Sequence, residues 1–396
     1  MSFGSEEKEA VLRVLDRGIL SGYQGNWSDA FYGGPEVRAL ESEWAEYFGV
    51  KHAIAVNSAT SGLWAACAAI GLQRELLKRD NMGAPFSHRS WNEYEMPEII
   101  CTPWSMTCSA SIPLHFGAMP VFADIEPDYY CLDPKSIEER ITDRTKAIIV
   151  VDIFGQCYDA DAINEIAARK GKEYGQKIYV IEDAAQAAGA KYKGKYAGTL
   201  GDIGVFSLNV HKPIQCGEGG IVVTNNQELA FKLRLAMNHG EAVINDRILK
   251  KFPEPLPLSC NIVGMNLRMT ELSAAIAREQ LKKLENIINI QQEYARYFNV
   301  KVRPECKHSY YRYPMLCPEN RKYKDGIYNI DLTDGSVPRY FDSWNESILY
   351  YHLKNHYITP IYKMPLFRNL GYEDNLCPVC ERVEENIILA WLKDVI

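Results

Sequence analysis

Between Tyr179 and Thr224 the chain sets a carboxylate, a hydroxyl and an amine within reach of one another: YVIEDAAQAAGAKYKGKYAGTLGDIGVFSLNVHKPIQCGEGGIVVT. The apolar run Tyr179–Ile181 reads as a short buried strand ending in two acids, Glu182 and Asp183. A second run, Ile203–Phe206, ends at Ser207. Lys212 follows in a turn-like segment with Pro213, and Gly217, Gly219 and Gly220 lead into a third run, Ile221–Thr224. Strand ends are where open α/β sheets bind small ligands. An amine can form a Schiff base with an aldehyde, a hydroxyl beside backbone N–H groups can hold a phosphate, and a carboxylate can keep a pyridine nitrogen protonated. Those are the requirements of pyridoxal phosphate. Taken alone, a lysine among glycines is an ordinary solvated loop residue.

The order and content of the whole stretch resemble the DegT/DnrJ/EryC1/StrS family of sugar aminotransferases, within the fold-type I pyridoxal phosphate enzymes. The residues that carry the resemblance are EDAAQA at 182–187, GDIGVFS at 201–207, HK at 211–212 and GEGGIVVT at 217–224. The resemblance implies Asp183 at the pyridine nitrogen and Gln186 near the ring oxygen. It implies Ser207 on the phosphate and Lys212 as the amine that takes the cofactor's aldehyde. It runs strongly over residues 35–300 and weakly beyond.

Two further segments bear on the same site. His52–Val56 reads as a strand, and NSATSGLWAACAAIGL after it as a small-residue turn and an apolar helix. Thr60 and Ser61 then stand at the helix N-terminus, where free N–H groups and the helix dipole favour an anion, and Gly62 permits close backbone approach. Serine and threonine also cap many helices that bind nothing; the resemblance implies that this turn holds the phosphate. The family sets an aromatic ring over the cofactor two residues after the position matching Trp104. That place is Met106, so either Met106 packs on the ring through its sulfur or Trp104 takes the role by a local shift.

The segment NIVGMNLRMTELSAAIAREQLKKLENI resembles a family signature that crosses a homodimer interface. It implies that Asn266 reaches the partner's cofactor phosphate, with Arg268 as the other candidate; a surface ion pair is Arg268's plainer role. Thr270 and Glu271 start a strongly periodic helix.

These residues need a frame of alternating strands and helices. Strands are expected at 98–102, 119–123 and 146–151, and helices at 106–116, 134–141 and 159–170, at the pace of βαβ units. A helix at 36–48 carries Val37, Leu40, Trp44 and Phe48 at core spacing. A helix at 6–18 is expected to turn Val11, Leu12, Val14 and Leu15 to one side, and 20–35 is a loop. The expected class is α/β: a large, mostly parallel mixed sheet flanked by helices, with a smaller C-terminal α/β domain closed by a helix near 380–394. The expected division is 1–34, an N-terminal helix and loop; 35–255, the cofactor domain; and 256–396, the small domain. The polar stretch 73–98 is a surface excursion or part of the substrate mouth.

Composition bounds the function. The 396 residues are 47% hydrophobic and 24% charged, enough for a large core. A net charge of −7 argues against a binder of nucleic-acid phosphates. No apolar run is long enough to span a bilayer, and the acidic start, MSFGSEEKEAVLRVLDRG, lacks the pattern of a signal peptide. Eleven scattered cysteines suit reduced thiols in a cytoplasmic protein. Cys377 and Cys380 have metal or redox spacing, but no second such pair lies near them, and packing at a helix start accounts for them; no metal is expected.

The resemblance implies an aminotransferase that moves an amine from glutamate or glutamine to a keto-sugar, expected to be nucleotide-linked. A keto-inositol (cyclitol) aminotransferase shares these motifs. Family members that are sugar 3-dehydratases carry histidine in place of the lysine, and Lys212 speaks against that activity. A non-catalytic pyridoxal phosphate sensor is the alternative from another class, because a fold does not fix a function.

Overall fold

The computed structural model describes residues 3–25, 28–72, 96–240, 262–296, 298, 300–316, 348–352 and 360–392. The stretch 73–98, apart from its last three residues, and the proline-rich stretch FPEPLPLS lie outside them. Seven strands form the main sheet: β1 (His52–Val56), β2 (Glu98–Cys101), β3 (Met119–Phe122), β4 (Thr145–Val151), β5 (Tyr179–Asp183), β8 (Ile203–Ser207) and β9 (Gly220–Thr224). Their order is β1-β9-β8-β5-β4-β2-β3. The strands from β8 to β3 run parallel, and β9 lies antiparallel to both its neighbours. This is the large, mostly parallel mixed sheet expected from sequence. Its central strands are buried on both faces, which is why they read as continuous apolar runs and not as alternating ones.

Helices cover the sheet: α1 (Ser5–Arg17), α2 (Pro35–Phe48), α3 (Ala59–Ala69), α4 (Cys108–His115), α5 (Pro134–Arg140), α6 (Ala160–Glu173), α7 (Gln227–Met237) and α8 (Glu271–Ala295). Val37, Leu40, Trp44 and Phe48 are buried as their spacing requires. Helix α1 differs from expectation. Its buried positions are Glu7, Ala10 and Val14, while Leu12 and Leu15 are half exposed. The face is set by charge as well as by apolar surface: Glu7 accepts from Lys283 Nζ (2.5 Å) and Gln280 Nε2 (2.7 Å) on α8. Burial alone raises this carboxyl, but Lys283, Gln280 and the Gly4 N–H outweigh it and bring it down to about 2.

Glu271 ties α8 to α2. It is fully buried and accepts from the Glu36 N–H (2.8 Å) and the Val37 N–H (3.2 Å), the free donors of the α2 N-terminus. The substitution Glu271→Ala orphans two buried donors and removes a carboxylate from a helix N-terminus. It should cost about 2–3 kcal/mol, read as a lower urea midpoint at unchanged slope.

The described residues beyond 300 join two small sheets. A hairpin, β6 (Lys191–Tyr192) and β7 (Lys195–Tyr196), pairs with β10 (Cys306–Lys307). The second sheet is antiparallel, with β13 (Ile387–Leu392) between β11 (Tyr313–Leu316) and β12 (Ile348–His352). Here too the structure corrects the sequence reading. The helix expected near 380–394 is Pro378–Asn386 only, and IILAWL after it is a strand. That helix starts at the CPVC segment. Asp124 accepts from the N–H groups of Val379 (2.8 Å) and Cys380 (3.0 Å), so the segment is a capped helix start with two buried cysteines, neither in a disulfide.

Candidate active site

The sheet register collects the sequence-derived residues at one edge. Val56 lies opposite Gly220, Gly220 opposite Ser207, and Val205 opposite Asp183. The C-terminal ends of β1, β8 and β5 therefore share one edge, with the start of β9 between β1 and β8, and that is the edge where α/β sheets take ligands. Gly220 is needed there: a Cβ on it would come within 2.6 Å of the Ser58 backbone.

Asp183 closes β5 and is 4% exposed. Its Oδ2 accepts from the Ser109 hydroxyl (3.0 Å) and its Oδ1 from the Ala185 N–H (3.1 Å). Burial pushes its pKa up; the Ala185 N–H, the Ser109 hydroxyl and the positive charge of Lys212 pull the other way without cancelling it. A cation set against this carboxylate would complete its compensation. The Cys108 thiol is pushed up to about 11, first by burial and then by the Asp183 charge, while bonds to Thr60 and Ser109 and the Lys212 charge oppose the rise. Thr60, Cys108, Ser109, Asp183 and Lys212 thus share one electrostatic neighbourhood. Sequence reasoning missed Ser109 and Cys108; their only signal was a place in the first turn of a helix that starts two residues after Met106.

At the α3 N-terminus Ser58 is the cap. Its Oγ accepts from the Ser61 N–H (3.1 Å) and donates to the Ser61 hydroxyl (2.9 Å). Thr60, in the same first turn, is exposed. Ser207 is 8% exposed and accepts from the Asn209 N–H (3.3 Å). Gly62 has a role other than the one expected. A Cβ on it would lie 2.8 Å from Val205 and 2.9 Å from Val222, so the close approach it permits is between α3 and the sheet.

Lys212 lies half-buried in the β8–β9 connection, its N–H donating to the Asn209 carbonyl (2.9 Å). Asn209 Nδ2 bonds Glu218 (2.9 Å), and the Gln215 N–H donates to Gln280 of α8 (3.4 Å), which fixes this loop from both sides. The Lys212 Nζ sits 4.5 Å from the centre of the Tyr311 ring. Gln186 turns its Oε1 to the Phe154 N–H (2.8 Å). Of the two stacking candidates, Trp104 is 1% exposed and packs edge-on against Tyr130 and Phe154, whereas Met106 is 43% exposed. Trp104 belongs to the core.

Asn266 is brought beside the end of β1. The Asn57 N–H donates to the Leu267 carbonyl (2.8 Å), and Val56 bridges Arg268. The Asn266 side chain is exposed and accepts from Arg268 Nε (2.9 Å), and Arg268 Nη1 donates to Asn238 (3.3 Å). The neighbouring Val263 and Met265 are about half exposed.

The donor set fits pyridoxal phosphate. A buried carboxylate in want of a cation, an amine within its field, and a hydroxyl-bearing helix N-terminus beside Ser207 meet at one sheet edge. Residues 22–392 match the DegT/DnrJ/EryC1/StrS aminotransferase family. The chain belongs to that family. It is 36% identical over 296 residues to GDP-perosamine synthase of Caulobacter vibrioides, covering 75% of this chain and 67% of that protein. It is 35% identical over 271 residues to UDP-2-acetamido-2-deoxy-3-oxo-D-glucuronate aminotransferase of Pseudomonas aeruginosa, covering 68% and 64%. The chain thus spans about two thirds of the length of each. Across its whole length it resembles the solved aminotransferase of Psychrobacter cryohalolentis, with 25% identity, a TM-score of 0.75 and 93% of that chain covered. The fold is that of fold-type I aminotransferases. Among the described residues no group of three or more His, Cys, Asp or Glu could hold a metal ion, and no helix is long and apolar enough to cross a membrane.

Proposed function

We propose that this aminotransferase uses pyridoxal phosphate to move an amino group from glutamate or glutamine to a nucleotide-linked keto-sugar, as a cytoplasmic enzyme. The observation that carries this is the placement of Lys212 within the field of buried Asp183 at the end of the sheet. Pyridoxal phosphate, when bound, supplies an aldehyde that takes up amines and a ring that draws off electrons. The chain supplies the rest. Asp183 holds a proton at the ring nitrogen, and Ser109 and the Ala185 N–H hold Asp183. Ser207, Thr60 and Ser61 anchor the phosphate, which keeps the reacting atoms aimed. Gln186 orients the ring oxygen and Met106 covers the ring face. Lys212 would hold the group through its aldehyde, and its Nζ is the chain's base for moving a proton there. The activities that the two relatives are named for favour a nucleotide-linked sugar over a cyclitol. A dehydratase is disfavoured by the lysine at 212.

The test is turnover. A panel of nucleotide-linked keto-sugars with glutamate should yield 2-oxoglutarate in step with sugar consumed. Glutamine in place of glutamate assigns the donor, and no turnover with any sugar of the panel would count against the substrate class.

The active site of this reading is shared across a homodimer, with Asn266 of one subunit meeting the phosphate held by the other. Exposed Asn266 beside half-exposed Val263 and Met265 supports it. Mixing Lys212→Ala with Asn266→Ala should restore activity, up to about one site in two per mixed dimer, because one of its sites then holds both intact residues. If the subunits are shown to exchange and no activity returns, although Asn266→Ala alone is inactive, the sharing is wrong. If Asn266→Ala alone is active, Arg268→Ala takes its place in the mixture.

A further inference from the structure

Tyr311 stands 99 residues from Lys212 in sequence, and no motif marks it. It comes to the lysine through backbone bonds between two turns. The Ser309 N–H donates to the Gly155 carbonyl (3.1 Å) and the Arg312 N–H to the Phe154 carbonyl (3.2 Å). Phe154 and Gly155 both have positive φ (59° and 101°). The Phe154 N–H is in turn held by Gln186 (2.8 Å). A Cβ on Gly155 would lie 2.4 Å from the Ser309 hydroxyl and 2.9 Å from the Tyr310 nitrogen, so only glycine permits this docking.

The docking places the Tyr311 ring beside two cations. The Lys212 Nζ lies 4.5 Å from the ring centre and the Arg312 guanidinium carbon 4.1 Å from it. Arg312 Nη2 also donates to the Tyr311 hydroxyl (3.3 Å). The charged groups that face the phenol are Lys212, from the β8–β9 loop, and Arg312, from its own segment; the turn at 153–155 brings only Ile, Phe and Gly. Burial raises this phenol, but its interaction with Lys212 and the Arg312 charge outweigh burial, and its pKa lies below the ordinary tyrosine value.

We propose that Tyr311 is the proton partner of Lys212, its phenolate oxygen taking the proton that the ammonium must lose before the amine can act. In that step an N–H bond of Lys212 breaks and an O–H bond of Tyr311 forms. An ammonium and a phenolate become a neutral amine and a neutral phenol, so no net charge is created in a half-buried site. Arg312 keeps the phenolate form accessible. This inference rests on the proposed role of Lys212, and its test separates the two.

The test is a near-ultraviolet phenolate titration of the cofactor-free protein. One of the 24 tyrosines should ionise below the rest. That early step should be absent in Tyr311→Phe, and it should move to higher pH in Lys212→Gln and in Arg312→Gln. In the cofactor-loaded enzyme, Tyr311→Phe should lower kcat about 10²-fold with little change in the donor KM. Titration curves of the wild type and Tyr311→Phe that superimpose at low pH, with unchanged circular dichroism, would overturn the proposal. So would an early step that Lys212→Gln leaves in place. If the protein binds no pyridoxal phosphate, the proposed function fails, while the titration still decides the Tyr311–Lys212 pair.

Discussion

Lys212→Ala is expected to abolish transamination, a loss of about 10⁴-fold or more, while pyridoxal phosphate still binds without a covalent link. The proposed phosphate anchors lie outside the lysine side chain: Thr60 and Ser61 stand on α3, and Ser207 closes β8 ahead of the 208–217 loop. The variant should therefore keep its affinity largely through those groups. Its absorbance should be that of the free aldehyde, without the yellow Schiff-base band. The fold should survive, because Lys212 is half-buried and its loop is held by Asn209, Gln215, Glu218 and Gln280. Absorbance and single-turnover rate on one preparation check both halves. A variant that keeps the Schiff-base band, or a tenth of the wild-type rate, would remove Lys212 from the chemistry.

Asp183→Asn is expected to slow both half-reactions by about 10²- to 10³-fold with the cofactor still bound, since the amide keeps the shape but cannot hold a proton at the ring nitrogen. The same variant makes an opposite prediction for stability without cofactor. Burial raises the Asp183 pKa above its unfolded value. The sign follows from linkage. A carboxyl whose folded pKa is raised contributes stability that is fully present below its unfolded pKa and is lost as pH rises through the folded pKa. As pH rises from the acid range toward neutral the cofactor-free wild type therefore loses stability at Asp183, and Asp183→Asn, which has no charge to bury, should melt at a higher temperature there. The difference should shrink as pH falls below the unfolded carboxyl range. A melting temperature that is lower at neutral pH would mean that the Ser109 and Ala185 bonds outweigh the burial. A rate near wild type would pass the ring-nitrogen role to another residue.

How much of this was legible follows from the range of the interactions. The placement of Asp183, Ser207 and Lys212 at one sheet edge could be read because each sits at the end of, or just after, a buried apolar run, and strand ends mark the ligand edge. Ser109 could not be read. It meets Asp183 across 74 residues, and only the parallel crossovers bring α4 over β5. Tyr311 is hidden for the same reason, among 24 tyrosines, until the turn at Phe154 docks on Ser309 and Arg312. Gly62 was read toward a ligand because glycine signals close approach but not to what; Val205 and Val222 supply the answer. At the C-terminus, IILAWL satisfies a buried helix or a strand equally, and the flanking strands Tyr313–Leu316 and Ile348–His352 decide it. On α1 the leucines lost their place to Ala10 and Val14 because Glu7 must reach Lys283 and Gln280.

The central claim, that Lys212 is the amine which takes the cofactor's aldehyde, is tested most directly by borohydride. The wild-type protein is loaded with pyridoxal phosphate, reduced, digested and mapped by mass spectrometry. Lys212 should carry the phosphopyridoxyl mass in near-stoichiometric yield, and the peptide should be unlabelled when reduction precedes loading. Labelling concentrated on any other lysine, or no label on a protein that binds the cofactor, would contradict the account.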